Sequence, residues 1–278
     1  MKRAVIYGAT GTGKDVYRKV CSSYQIIHFV DGDPKLHGQF VCGIEVKNPE
    51  ELTVDGVDVI FLGVLTGQET VMNELYLKGF SEEQIITKYV DLASRARRDC
   101  IEKIVRIFAD KKVGGQIAEL GVYRGDFAKE MNEVFCDRKL YLFDTFEGFP
   151  EQDMQYEEEN DLMMDKVGKL SNTSVDFVLG RMPHPENCIV RKGYFPDTAE
   201  GLEEEFCFVN IDTDLYKPIL AGLEYFWPRM VENGYIFVHD YFSLSYGGAK
   251  KAIEEFAEKY HVGFIPIGDT LSVAFVKK

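Results

Sequence analysis

Four residues in the C-terminal half of the chain have the types and spacing to do chemistry: Asp212, Asp214, His239 and Asp240. Asp212 and Asp214 close the apolar run Phe208–Ile211, and His239 and Asp240 close the run Tyr235–Val238. A continuous β-branched and aromatic run is the mark of a parallel strand buried on both faces, and ligands of open α/β sheets gather at the strands' carboxyl ends. Side by side, two such ends bring three carboxylates and an imidazole together. Carboxylates that close repel one another, so the arrangement is stable with a cation, a proton or an Arg/Lys partner. Hard oxygen ligands favour Mg²⁺ or Mn²⁺, and a histidine tilts the choice towards a transition metal. The four groups together are therefore expected to form a metal site. Capping of a helix that starts near Lys217-Pro218 accounts for one aspartate, but not for both strand ends.

The elements that must position these groups can be followed along the chain. Arg3–Tyr7 reads as a strand, Gly8–Lys14 as a glycine-rich turn into a helix, and Gln25–Val30 as a second strand ending in Asp31-Gly-Asp33-Pro34. This is a βαβ opening of Rossmann type, with a helix N-terminus facing an anion. Its Gly-x-x-Gly-x-Gly spacing departs from the dinucleotide fingerprint, and Gly13-Lys14-Asp15 departs from the P-loop. The segment is similar to the small nucleotide-binding-like domain fused to bacterial sugar-modifying enzymes. Residues 91–114 read as a helical connector, with Ile101, Ile104, Val105 and Phe108 on one stripe and Arg95, Arg97 and Arg98 on a solvated face. A second α/β unit then begins. A strand ends at Glu119, a glycine turn runs through Gly121 to Gly125, a helix spans Asp126–Val134, and the strand Lys139–Phe143 ends in Asp144. An acid about 20 residues beyond the glycine turn, at the end of the second strand, is placed to accept hydrogen bonds from ribose hydroxyls.

Here the sequence resembles a known family. Glu119-x-Gly-Val-Tyr-Arg-Gly125, Phe143-Asp-Thr-Phe-Glu-Gly-Phe-Pro150, the Gly193–Thr198 segment, Asp212-Thr-Asp-Leu-Tyr216 and Gly234-Tyr-Ile-Phe-Val-His-Asp-Tyr241 follow one another as do the motifs of the TylF-type O-methyltransferases, the macrocin, mycinamicin and novobiocin-pathway sugar O-methyltransferases. The resemblance runs from about residue 115 to 256. It implies a class I methyltransferase fold, a mostly parallel doubly wound sheet with an antiparallel C-terminal edge. It implies S-adenosylmethionine bound near Glu119, Gly121, Tyr123, Arg124, Gly125, Asp144 and Thr145, with the adenine near Ser174 and Asp176. It implies Mg²⁺ or another divalent cation at Asp212 and the later acidic pair, and a sugar hydroxyl as acceptor. Asp212 is then both ligand and base, Asp240 a second ligand, and His239 a third ligand or a separate acid/base. Two departures stand out: His239-Asp240 replaces Asp-Asp, and Asn233-Gly234 replaces Gly-Gly.

The whole chain bounds these readings. Its 278 residues suggest two domains, taken as 1–90 (Rossmann-like), the 91–114 connector, and 115–278 (methyltransferase). A net charge of −14 argues against sequence-independent nucleic-acid binding, which needs clustered basic residues. No apolar run approaches the ~18 residues of a membrane span, and Met1–Gly8 enters a strand without a signal-peptide pattern, so a cytoplasmic protein is expected. The six cysteines lie scattered and read as reduced, mostly buried thiols. The acidic stretch from Glu151 to Asp165 is expected to be a solvated segment or a lid over the substrate. The rival functions are an NAD(P)-dependent sugar-nucleotide enzyme built on the first glycine turn, and a non-catalytic S-adenosylmethionine-binding protein. The acceptor's identity is open, and so is the oligomeric state, a homo-oligomer included.

Overall fold

The computed structural model describes residues 1–64, 67–162, 165–243 and 246–278, with the side chain of Ser94 also outside the description. Met163 and Met164, part of the expected lid, thus lie outside the described residues. The chain forms two compact units, Met1–Ala96 with Gly268–Thr270, and Arg97–Ile267 with Leu271–Lys278.

In the first unit the elements are β1 (Arg3–Tyr7), α1 (Gly11–Val20), β2 (Gln25–Val30), β3 (Phe40–Val41), β4 (Ile44–Lys47), β5 (Val59–Leu62), α2 (Gln68–Leu77) and β6 (Ile85–Ile86). They make a six-stranded sheet of order β3-β4-β2-β1-β5-β6, parallel except for the β3–β4 pair. The Asp31 carboxylate accepts from the amides of Ala9 at 2.8 Å and Asp33 at 2.9 Å, so it holds the first glycine turn against the end of β2.

The helix α3 (Lys88–Lys111) follows, and the second unit continues with β7 (Gln116–Leu120), α4 (Asp126–Val134), β8 (Leu140–Asp144), α5 (Glu151–Glu159), α6 (Val175–Leu179), β9 (Cys188–Lys192), β10 (Phe206–Ile211), α7 (Tyr216–Phe226), β11 (Met230–Val238), α8 (Gly247–Tyr260), β12 (Phe264–Pro266) and β13 (Val273–Val276). The seven-stranded sheet has the order β12-β13-β11-β10-β7-β8-β9. It is parallel from β11 to β9, and β13 and β12 form the expected antiparallel edge. β7 and β10 are neighbours from which the chain winds in opposite directions, the switch point where such sheets bind ligands. The central strands are buried on both faces, as their unbroken apolar runs require. Phe206, Val209, Ile211, Phe226 and Phe256 pack one face, and Ile101, Phe108, Phe135, Phe208 and Phe237 the other.

Two expectations about side chains change. Only Cys207 among the cysteines is buried, whereas Cys21, Cys42 and Cys136 are exposed because they fall at helix ends and turns and not in strands. The acidic stretch is not simply solvated: α5 turns Asp153, Met154 and Glu157 inward. Among the described residues, no helix is long and apolar enough to cross a membrane.

Candidate functional site: a cleft and a carboxylate–histidine cluster

Register builds the site. Ile211 of β10 is paired with Val238 of β11 and Leu120 of β7, so Asp212, His239 and Gly121 leave the sheet side by side. Gly121 has φ 87°, and a Cβ there would lie 2.0 Å from the Asp212 carbonyl oxygen, so only glycine lets the turn pass this close to β10. On the other side Phe143 pairs with Leu120, which places Asp144 at the mouth of the same turn. Its Oδ2 accepts from the amides of Val122 (2.7 Å) and Tyr123 (2.8 Å), and its Oδ1 from Phe146 (2.6 Å).

A cleft runs along these strand ends. It is lined by Gly121 and Tyr123 after β7, Asp144 and Thr145 after β8, Gly193, Tyr194 and Phe195 after β9, and Asp212 to Leu215 after β10. Beside it stands the acidic cluster. Nδ1 of His239 lies 3.1 Å from Asp212 Oδ1 and 2.8 Å from Asp240 Oδ2. Nη1 of Arg97 donates to Asp212 Oδ2 at 3.1 Å, and its guanidinium stacks 4.5 Å above the Phe127 ring. Arg97 is therefore not on a solvated face, as its neighbours suggested; the turn of α3 that carries it faces the end of β10. Arg98 does behave as expected, pairing with Glu102 and Glu133 near the surface.

The electrostatics follow from this packing. Burial opposes the charged form of Asp212, but His239 and then Arg97 outweigh it and hold the carboxyl well below the usual range. Burial likewise opposes the imidazolium of His239, and the carboxylates of Asp212 and Asp240 outweigh it and raise the group well above an ordinary histidine. For Asp214 the balance is reversed: burial, then the charges of Asp240 and Asp212, outweigh the smaller pull of His239 and push it well above the usual carboxyl range. Glu119 is raised for the same reasons, burial first and Asp212 second. It is fully interior, accepting from Asn210 Nδ2 at 3.0 Å, with no partner for its second oxygen among the described residues.

Gly121, Tyr123, Asp144, Thr145 and Asp212 thus share one cleft, with His239 and Asp240 at its edge. The remaining candidates sit elsewhere. The Arg124 guanidinium lies over Phe177 at 4.9 Å, and Gly125 caps α4 with φ 73°. Ser174 uses its hydroxyl to cap α6, accepting from the Phe177 amide, and Asp176 lies in that helix's first turn, so neither lines the cleft where an adenine was expected. Tyr216 stacks on Tyr156 at 4.9 Å and Tyr241 donates to Glu254, both as packing groups outside the lining. Residues that the spacing did not reveal are Arg97 and Asp153, while the Gly193–Thr198 segment was marked as a motif without a role and here lines the cleft through Gly193, Tyr194 and Phe195. Only for Asp153 was there a signal, since Asp153 and Glu157 fall on one helical face.

The macrocin O-methyltransferase (TylF) family model matches residues 89–272. The chain belongs to that family. The matched region begins within α3, so it includes Arg97 and reaches beyond the motif run at both ends. The chain is 23% identical over 181 residues to a Streptomyces olivaceus enzyme, the 8-demethyl-8-(2,3-dimethoxy-alpha-L-rhamnosyl)-tetracenomycin-C 4'-O-methyltransferase, a match covering 60% of this chain and 67% of that one. It is 23% identical over 176 residues to the demethyldecarbamoylnovobiocin O-methyltransferase of Streptomyces niveus, covering 59% of this chain and 65% of that one. The solved structure of the O-methyltransferase NovP superposes with a TM-score of 0.53 at 21% identity, over 66% of this chain and 80% of NovP. The fold is that of the class I methyltransferases, and the TylF family makes this chain an O-methyltransferase.

Proposed function

We propose that the chain transfers the methyl group of S-adenosylmethionine to a sugar hydroxyl of a small molecule or glycan, with a divalent cation at the carboxylate–histidine cluster. The observation that carries this reading is the single lining that joins Gly121 and Asp144 to Asp212 and Asp214. The acceptor class is supported by relatives named for methylating a rhamnosyl tetracenomycin and demethyldecarbamoylnovobiocin. The donor set suits a cation: Asp212, His239 and Asp240 offer two carboxylate oxygens and an imidazole nitrogen within 4.8 Å of one another.

When bound, S-adenosylmethionine supplies a sulfonium methyl and a divalent cation supplies Lewis acidity. The chain's own residues hold, orient and move a proton. Transfer forms a C–O bond as the C–S bond breaks in line, so the turn at Gly121 and the acid at Asp144 contribute by fixing the donor's approach. The hydroxyl proton needs an acceptor. Asp212 is a poor one, because His239 and Arg97 engage both its oxygens and stabilise its charged form. Asp214 is better placed: it lines the cleft, and burial beside Asp240 and Asp212 raises its pKa and so makes it the stronger base of the two. In this reading Asp214 takes the proton and Asp212 and Asp240 hold the cation. His239, which bridges that pair when no cation is there, would add its imidazole nitrogen to the site, and Arg97 fixes Asp212.

The test is calorimetric titration of S-adenosylhomocysteine with Mg²⁺ and again with chelator, followed by mass-detected methyl transfer to nucleotide sugars and glycosides. Binding together with cation-dependent transfer is expected. Absence of binding removes the reading, and transfer unchanged by chelator removes the cation from it.

A further inference from the structure

Helix α5 carries two interior carboxyls one turn apart, Asp153 and Glu157, each 1% exposed. Glu157 has a structural role. Its Oε1 accepts from the Tyr216 amide at 2.7 Å, and a Cβ on Gly248 would lie 2.5 Å from its Oε2, so it wedges between the starts of α7 and α8. Glu157 Oε2 also lacks a hydrogen-bond partner among the described residues, and what sets Asp153 apart is that it reaches the cleft. Its Oδ1 accepts from the Tyr194 hydroxyl at 2.8 Å, and its Oδ2 has no hydrogen-bond partner among the described residues. Yet Asp153 lines the cleft together with Phe149, Pro150, Gly193 and Tyr194. A buried oxygen with nothing to accept from is costly and rare, and calls for an explanation. Burial raises its pKa, against the pull of Tyr194 and Lys217.

The order of the strands says which part of a ligand reaches Asp153. β10, β7, β8 and β9 are successive neighbours, about 4.8 Å apart. The reacting end lies at Asp212 and Asp214 after β10, and a ribose belongs at Asp144 after β8. An extended nucleoside cofactor therefore has its base at the end of β9, where Tyr194 holds Asp153. Adenine presents an exocyclic amine there, a donor that matches an unpartnered carboxyl oxygen.

We propose that Asp153, held by Tyr194, reads the cofactor's base, its Oδ2 accepting from the exocyclic amine of adenine. This rests on the S-adenosylmethionine reading above and adds the residue that selects adenine, in place of Ser174 and Asp176. Asp153 is then a specificity-determining residue and Tyr194 a positioning residue.

The experiment is calorimetric binding of S-adenosylhomocysteine and of S-inosylhomocysteine, in which a carbonyl replaces the amine, to the full chain and to Asp153→Ala, Asp153→Asn and Tyr194→Phe. The unmodified chain is expected to prefer the adenine compound by about 10- to 100-fold, the usual penalty for opposing a buried acceptor with another acceptor. Asp153→Ala brings the ratio to within about threefold whatever happens to absolute affinity. Asp153→Asn, which keeps the side chain's size, shifts the ratio towards the inosine compound, and Tyr194→Phe narrows it. A purely structural role in seating α5 weakens both ligands alike and leaves the ratio unchanged in every variant, which overturns the proposal. Equal binding of the two compounds by the unmodified chain also overturns it while leaving the cofactor reading intact. No binding of either removes both.

Discussion

Replacing Arg97 by methionine tests the core of the site's architecture. The substitution keeps the aliphatic stem over Phe127 and removes the guanidinium that donates to Asp212 Oδ2 at 3.1 Å. The two side chains are 21% and 24% exposed, so the pair is mostly shielded from solvent and leaves a poorly solvated carboxylate when broken. A hydrogen bond to a charged group is worth about 1.5–3 kcal/mol, and a fully buried pair broken on one side costs about 3–5 kcal/mol. The partial exposure and the remaining contact with His239 place the loss near the lower range, about 2–3 kcal/mol. For a folding unit of this size that is a fall in Tm of roughly 5–10 °C. The sign with pH follows from Asp212. Its folded pKa is depressed, so the contribution is complete above the ordinary carboxyl value of about 3.9 and is lost as pH falls through the folded value. Thermal unfolding by circular dichroism at pH 7, on Arg97→Met, Asp212→Asn and the double variant, isolates the pair. A Tm within 1 °C of the starting protein, or additive single effects, would return Arg97 to the solvated helix face.

Three further outcomes follow from the same geometry. Asp214→Asn is expected to lower kcat by about 10²–10⁴-fold and to abolish the acid limb of the pH–rate profile, with S-adenosylhomocysteine affinity little changed. An intact acid limb in that variant would move the base elsewhere. Gly121→Ala puts a Cβ 2.0 Å from the Asp212 carbonyl oxygen, and should destabilise the fold and weaken S-adenosylhomocysteine binding by at least about tenfold; binding at the original affinity would show that the turn is free to move. His239 has a raised folded pKa, so in chelator its contribution to stability is complete below the ordinary histidine value of about 6.5 and is lost as pH rises through the folded value. Urea unfolding of His239→Gln should lack that alkaline decline, and an identical pH dependence in both proteins would remove the imidazolium from the cluster.

Much of this protein was legible before its structure. Phe208–Ile211 and Tyr235–Val238 read as central strands because a strand covered on both faces must be apolar throughout. The acids that end them, the glycine turn at Gly121 and the acid at Asp144 then had only one kind of place to go. The motif order carried the family, and the antiparallel C-terminal edge came with it. The sequence was silent where contacts join distant segments. Arg97 meets Asp212 across 115 positions, and no periodicity on α3 marks which polar residue turns inward. The pairing of Ile211 with Val238, which sets Asp212 beside His239, is a property of register. The raised pKa of Asp214 depends on its burial beside Asp240 and Asp212, which no local pattern shows. Asp153 read as one more acid in an acidic stretch, because composition reports the average solvation of a segment and not that of one face. Ser174 caps α6, a role its position before a short helix did not distinguish from a ligand contact. Local pattern determined the strands, turns and motifs. Packing alone decided which charges are paired, which are stranded, and hence which can act.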